Sequence, residues 1–157
     1  MKKAFFLSVL LILVMLASCA PSETPVSTDE SFADDWSIPT PTGNTAVIFG
    51  KIQSTTNEPV GDMIFLSENI AYDRPDLPST ISFSFQNSPR AIVDVERGYF
   101  YFESVDPALN YVITVLSGPG EFIYVTEEDG ETPKMIAVEA GESLDLGQLF
   151  IEIPDFN

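Results

Sequence analysis

The sequence predicts an all-β protein, an antiparallel two-sheet sandwich of roughly seven to nine short strands behind an N-terminal export segment and a linker. Three observations predict it. Beyond residue 44 the apolar residues fall in short runs rich in Val, Ile, Phe and Tyr. These runs are cut by clusters of Gly, Pro, Asn, Asp and Ser, the residues that turn chains. No apolar stripe at helical spacing appears among them, so no crossover helix is available to build a parallel sheet.

The elements follow in chain order. Lys2 and Lys3 precede the run Ala4–Leu16, in which Ser8 is the only polar side chain. That run of 13 residues falls short of the ~20 needed to cross a bilayer core, so residues 1–18 read as a signal peptide. It ends in Leu16-Ala17-Ser18-Cys19. Residues 19–44 change to Ser, Thr, Pro and acids, with Pro21, Pro25, Pro39 and Pro41. Such a stretch buries too little apolar surface to offset its ordering entropy and reads as a flexible linker, ~80 Å long when extended at about 3.3 Å per residue.

Residues 45–157 form one domain by length. Ala46–Gln53 and Val60–Leu66 are the first two predicted strands, and Ser67–Ser79, with Pro75 and Pro78, reads as a long loop. Ile81-Ser82-Phe83-Ser84-Phe85 alternates strictly, which predicts a half-buried strand with Ile81, Phe83 and Phe85 inward. Ala91–Val95 and Gly98–Glu103 are joined by a tight turn at Glu96-Arg97. Tyr111–Leu116, Phe122–Val125 and Met135–Val138 follow, with the acidic turn Glu127–Glu131 between the last two. Leu144–Ile153 closes the domain. Its inward set, Leu144 and Leu146 and then Leu149, Ile151 and Ile153, changes parity at Gly147, which predicts a β-bulge.

Composition narrows the function. The chain carries 7 Lys and Arg against 24 Asp and Glu, a net charge of −17. Loss of residues 1–18 would remove two lysines and no acid, leaving five cations against 24 acids. A nucleic-acid partner is excluded, because a polyanion would be repelled and no basic patch exists to release its counterions. There is no histidine, so Ser-His-Asp triads, Cys-His pairs and histidine metal sites are excluded as well. No phosphate-binding glycine loop is present, and no cofactor or metal is expected. Cys19 is the only cysteine, so no disulfide can form within the chain.

Two resemblances sharpen these expectations. Leu16-Ala17-Ser18-Cys19 resembles the lipobox of bacterial lipoproteins, which implies cleavage before Cys19, lipidation of its thiol with palmitate-class acyl chains, and extracytoplasmic anchoring at the cell membrane or outer membrane. Two or more acyl chains anchor a protein stably, at roughly 0.8 kcal/mol per buried CH₂. The stretches Phe49-Gly50-Lys51-Ile52, Glu58-Pro59-Val60-Gly61-Asp62-Met63-Ile64-Phe65-Leu66, Gly98-Tyr99-Phe100-Tyr101-Phe102-Glu103-Ser104-Val105-Asp106-Pro107 and Val138-Glu139-Ala140-Gly141-Glu142-Ser143-Leu144-Asp145-Leu146-Gly147 resemble the carboxypeptidase regulatory-like domains. That resemblance implies an Ig-like, prealbumin-like (transthyretin-like) sandwich and an accessory, adhesive or spacer role, and it carries no catalytic residue.

The sequence therefore points to a lipid-anchored structural or protein-interaction module of the cell envelope and not to an enzyme. Two other readings stay open. Tyr99 and Tyr101 alternate with Phe100 and Phe102, so one aromatic pair faces away from the core, and outward tyrosines could stack on the sugar rings of a glycan. A carboxylate-dependent hydrolase would need two of the many acids set across a cleft. The acids Glu127, Glu128, Asp129 and Glu131 around Gly130 could also ligate calcium, although they lack ordered loop spacing and read first as a solvated turn.

Overall fold

A computed structural model describes residues 36–56, 60–72, 78–118 and 120–153 of the chain. The chain divides into two compact units, Met1–Trp36 and Ser37–Asn157, and the fold below is that of the second. Residues 16–19 lie outside the described residues. Among the described residues every regular element is a strand. They are β1 (Ala46–Ser54), β2 (Ile64–Ile70), β3 (Thr80–Ser82), β4 (Ile92–Asp94), β5 (Tyr99–Val105), β6 (Tyr111–Gly118), β7 (Glu121–Tyr124) and β8 (Ser143–Ile151).

The eight strands form a sandwich of two four-stranded sheets, ordered β4-β5-β1-β8 and β3-β2-β6-β7. The β2–β3, β4–β5 and β6–β7 connections stay within a sheet, and the intervening ones cross to the other. Every pairing is antiparallel except one, since β8 runs parallel to β1. Parallel neighbours need a long connection, and here six strands of the sandwich supply it in place of a helix.

Alternation along the strands builds the core. Ile48 and Ile52 of β1 and Phe100 and Phe102 of β5 meet Ile64 and Leu66 of β2 and Ile113 and Val115 of β6, all essentially inaccessible to solvent. Each such side chain contributes roughly 1.5–3 kcal/mol by leaving water. Leu149 and Ile151 are buried against this cluster, and Leu144, Leu146 and Ile153 pack on it partly buried, which is the predicted inward set of the last strand.

The parity change at Gly147 is a β-bulge. Between Phe49, opposite Asp145, and Lys51, opposite Gln148, β8 spends one residue more than β1. Gly147 sits at φ +65° there, a left-handed angle that suits glycine, and its N–H donates to Asp145 Oδ1 at 2.8 Å. A second register shift lies in β5, where Ala46 faces Val105 but Ile48 faces Phe102. Ser104 lies in that shift at φ 58°.

Three expected elements differ. The second strand is displaced: β2 begins at Ile64, and it continues through Ser67–Ile70, which the sequence assigns to a loop. The buried Ser67 is accommodated in the strand because its hydroxyl shares a 2.5 Å hydrogen bond with Thr114 of β6, a pair that satisfies both groups where water is excluded. The alternating segment 81–85 is a strand only to Ser82, after which Ser84 O accepts the amides of Asn87 and Ser88 in a turn. Met135–Val138 forms no strand; Ile136 makes an isolated bridge to Tyr111, and Ile136 and Val138 are buried as core side chains.

The inward orientation of Ile81, Phe83 and Phe85 is also corrected. Asn69 faces Ile81 in the β2–β3 ladder, so Ile81 and Phe83 lie with Phe65 on the face of the second sheet turned away from the core. There Phe65, Phe83, Phe85 and Phe122 make a cluster of edge-on and tilted rings with centroids 4.8–6.2 Å apart. Phe85 is 61% exposed.

Candidate functional site

The predicted tyrosine pair occupies the outer face of the first sheet, as its alternation with the buried Phe100 and Phe102 requires. Strand register sets Ile92, Tyr101, Phe49 and Asp145 in one row across that face and Asp94, Tyr99, Lys51 and Gln148 in the next. Neither tyrosine is a bare ring. Both are half-buried, Lys51 Nζ sits 5.6 Å from the Tyr99 ring centroid, and Tyr101 has contacts of its own. Further along the face Gln148 Nε2 donates to Gln53 Oε1 at 2.6 Å.

Among the described residues, concavities open at the margins of the sandwich, two of which bear on the site. The smaller, about 330 Å³, lies between the sheets at one end, lined among others by Glu68, Ser82, Ser104, Asp106 and Tyr111. Alternation along β2 turns Glu68 to the core side, opposite Tyr111. The Tyr111 hydroxyl donates to the Asp106 carbonyl at 3.1 Å. Burial, reinforced by the nearby Asp106 carboxylate and opposed by that hydrogen bond, raises the Tyr111 pKa above its ordinary value, and the Glu68 charge adds slightly to the rise.

The larger is an open cleft of about 800 Å³. One wall is the turn after β7, residues 125–130 with Lys134; the other is the second half of β8, Gln148–Phe150, with Glu152 beyond it. Sequence alone identifies the acidic turn, but the opposite wall comes from a strand more than a turn away in sequence, and only tertiary pairing places it there. Lys134 Nζ lies 3.6 Å from Glu127 Oε2.

The acids of the turn are not disposed as a cation site. Asp129 Oδ1 accepts the amides of Glu131 at 3.0 Å and Thr132 at 2.8 Å, and Oδ2 accepts the Thr132 hydroxyl at 2.6 Å, so this carboxylate closes its own loop. No group of three or more Cys, Asp or Glu side chains among the described residues is placed to hold a metal. The Thr132 side-chain and backbone hydrogen bonds, followed by that of Glu131, hold the Asp129 pKa below its ordinary 3.8. With a lowered folded-state pKa, its ordering of the loop is present above the ordinary value and fades as pH falls through the lower one. A carboxyl-carbon NMR titration is expected to give Asp129 a midpoint below 3.8, with the Thr132 amide losing exchange protection in the same step. A midpoint at or above the ordinary value would remove the capping role.

Among the described residues no helix is long and apolar enough to cross a membrane. No family model matches the chain, and no curated protein matches it. A solved structure that it resembles is a 9R-lipoxygenase from Cyanothece PCC8801, at 13% identity and a TM-score of 0.38. The match covers 78% of this chain but only 19% of the lipoxygenase, a likeness too low to carry an argument.

Proposed function

We propose that the protein is a lipid-anchored, extracytoplasmic lipoprotein whose β-sandwich serves as a structural or protein-interaction module of the cell envelope. The observation that carries the interaction role is the aromatic cluster outside the second sheet. Phe85 is 61% and Phe122 39% exposed, and Met63, whose carbonyl accepts the Leu116 amide beside them, is 37% exposed. Apolar groups gathered on one outer face, on a chain otherwise dense in acids, favour contact with another protein. The net charge of −17 argues against an anionic lipid surface as the occupant. The basic start, short apolar run and Leu16-Ala17-Ser18-Cys19 support the anchor.

Two measurements test this reading. Metabolic labelling with a palmitate analogue should mark the wild-type chain and not Cys19→Ala, and the label should fractionate with membranes. Crosslinking in the native envelope should trap a discrete protein adduct that Phe85→Ser with Phe122→Ser abolishes while the circular dichroism spectrum is kept. Unlabelled, membrane-free protein would overturn the anchor. An adduct indifferent to the two serines would overturn the aromatic surface, and retention on an envelope polysaccharide lost only in Tyr99→Ala with Tyr101→Ala would replace the protein partner with a glycan.

A further inference from the structure

The two sheets end in four edge strands, and only one of them is long. β3, β4 and β7 have 3, 3 and 4 residues, whereas β8 has 9. Among the described residues β8 pairs with β1 alone. In its first half, at the bulge, Gly147 donates its N–H to the Asp145 carboxylate. Among the described residues no strand other than β1 pairs with its second half. Thr55 N–H donates to Ile151 O at 2.9 Å, so Ile151 points its backbone groups at β1. Alternation then turns the N–H and C=O of Phe150 away from β1, toward the free edge. That edge, Gln148–Phe150, forms one wall of the 800 Å³ cleft.

The lining of the cleft selects its occupant. Glu127, Glu128, Asp129 and Glu152 line it against one cation, Lys134, which already pairs with Glu127. Glu128 and Glu152 have no side-chain partner among the described residues. A second copy of this chain, at −17, would bring further acids to the same place. A cationic strand would neutralise them while its amides and carbonyls met those of β8.

Resting on the interaction-module reading, we propose that the second half of β8 is a docking edge for an extended lysine- or arginine-rich segment of a partner protein, which adds to the β4-β5-β1-β8 sheet as a fifth strand. The stretch Gln148–Glu152 accommodates about five residues at about 3.3 Å each. Main-chain hydrogen bonds supply the affinity and the carboxylates the selectivity.

The test uses the purified full chain and three fluorescent hexapeptides: alternating lysine and valine, alternating glutamate and valine, and the lysine peptide N-methylated at alternate backbone nitrogens. Fluorescence anisotropy should show saturable binding of the lysine peptide that weakens with salt. The glutamate and N-methylated peptides should each bind about tenfold more weakly or worse. Glu128→Lys with Glu152→Lys should reduce lysine-peptide binding about tenfold. Phe150→Pro, which deletes the outward N–H at a position where an edge strand tolerates proline, should do the same.

Equal binding of the lysine and N-methylated peptides would reduce the interaction to charge adsorption and overturn strand addition. Absence of lysine-peptide binding would overturn it too, as would self-association abolished by Phe150→Pro, which would assign the edge to a second copy. Should Phe150→Pro fail to fold, the N-methylated peptide still decides. If the peptides fail while the envelope adduct at Phe85 and Phe122 persists, the β8 assignment falls and the module reading stands. The converse pattern separates the two in the other direction.

Discussion

Phe100→Ala is expected to lower the unfolding free energy by about 3–5 kcal/mol, the range for deleting a buried phenyl group. Phe100 is inaccessible to solvent and lies at the middle of the core, its ring edge-on to Phe102 with centroids 5.8 Å apart. It stands opposite Gly50 of β1, and a Cβ on that glycine would come within 3.3 Å of Phe100 Cζ. The ring thus fills space that Gly50 leaves empty. Domains of this size are stable by roughly 5–15 kcal/mol, so the variant should sit near the unfolding threshold. Urea denaturation followed by circular dichroism measures it, with Phe150→Ala as the control. Phe150 is 55% exposed and should cost less than about 1 kcal/mol. Equal losses for the two variants would place the core elsewhere.

Gly98→Ala should cost about 3 kcal/mol, although it adds a single methyl group. Gly98 ends the turn between β4 and β5 at φ +76°, where an L-residue loses roughly 1–2 kcal/mol. Its carbonyl accepts the Ile52 amide at 2.8 Å, and its own amide donates to Asp94 O at 2.8 Å. A Cβ would stand 2.5 Å from the Ile52 carbonyl oxygen, a backbone atom that cannot swing aside. The hairpin must therefore shift and weaken a hydrogen bond that is worth about 1 kcal/mol. Gly147→Ala separates the two contributions: φ is also positive at +65°, but nothing lies within 4 Å of the added carbon. It should cost only the conformational share. If Gly98→Ala and Gly147→Ala cost the same, close approach to β1 plays no part.

Much of this architecture is legible in the residues. The strand starting at Ala46, the turn around Glu96-Arg97 and the opposition of Tyr99 and Tyr101 to Phe100 and Phe102 all follow from alternation and turn chemistry. Gly147 is the sharpest case: a change of parity with a glycine at the break implies one extra residue, and the β1–β8 register contains it. Of the cleft, the acidic turn is legible as a turn, and Asp129 proves to be its internal cap. The open edge facing it is not, because the polarity of Gln148 and Glu152 says nothing about which strand lies beside them.

The errors share a cause with that gap. Ile81, Phe83 and Phe85 alternate as a strand should, yet they gather outside the second sheet around Phe65 and Phe122. Ser67–Ile70 reads as a loop, yet Ser67 is satisfied by Thr114, 47 residues away. The sequence by itself determined an all-β chain, its turns, its bulge and the residues that share a face, since these depend on backbone sterics and a two-residue period acting locally. Only the tertiary structure decided which face the opposite sheet covers, that β8 joins β1 in parallel, and that the β8 edge, without a second strand among the described residues, meets an acidic wall. Those outcomes depend on contacts between segments far apart in the chain, and a local period carries no information about them.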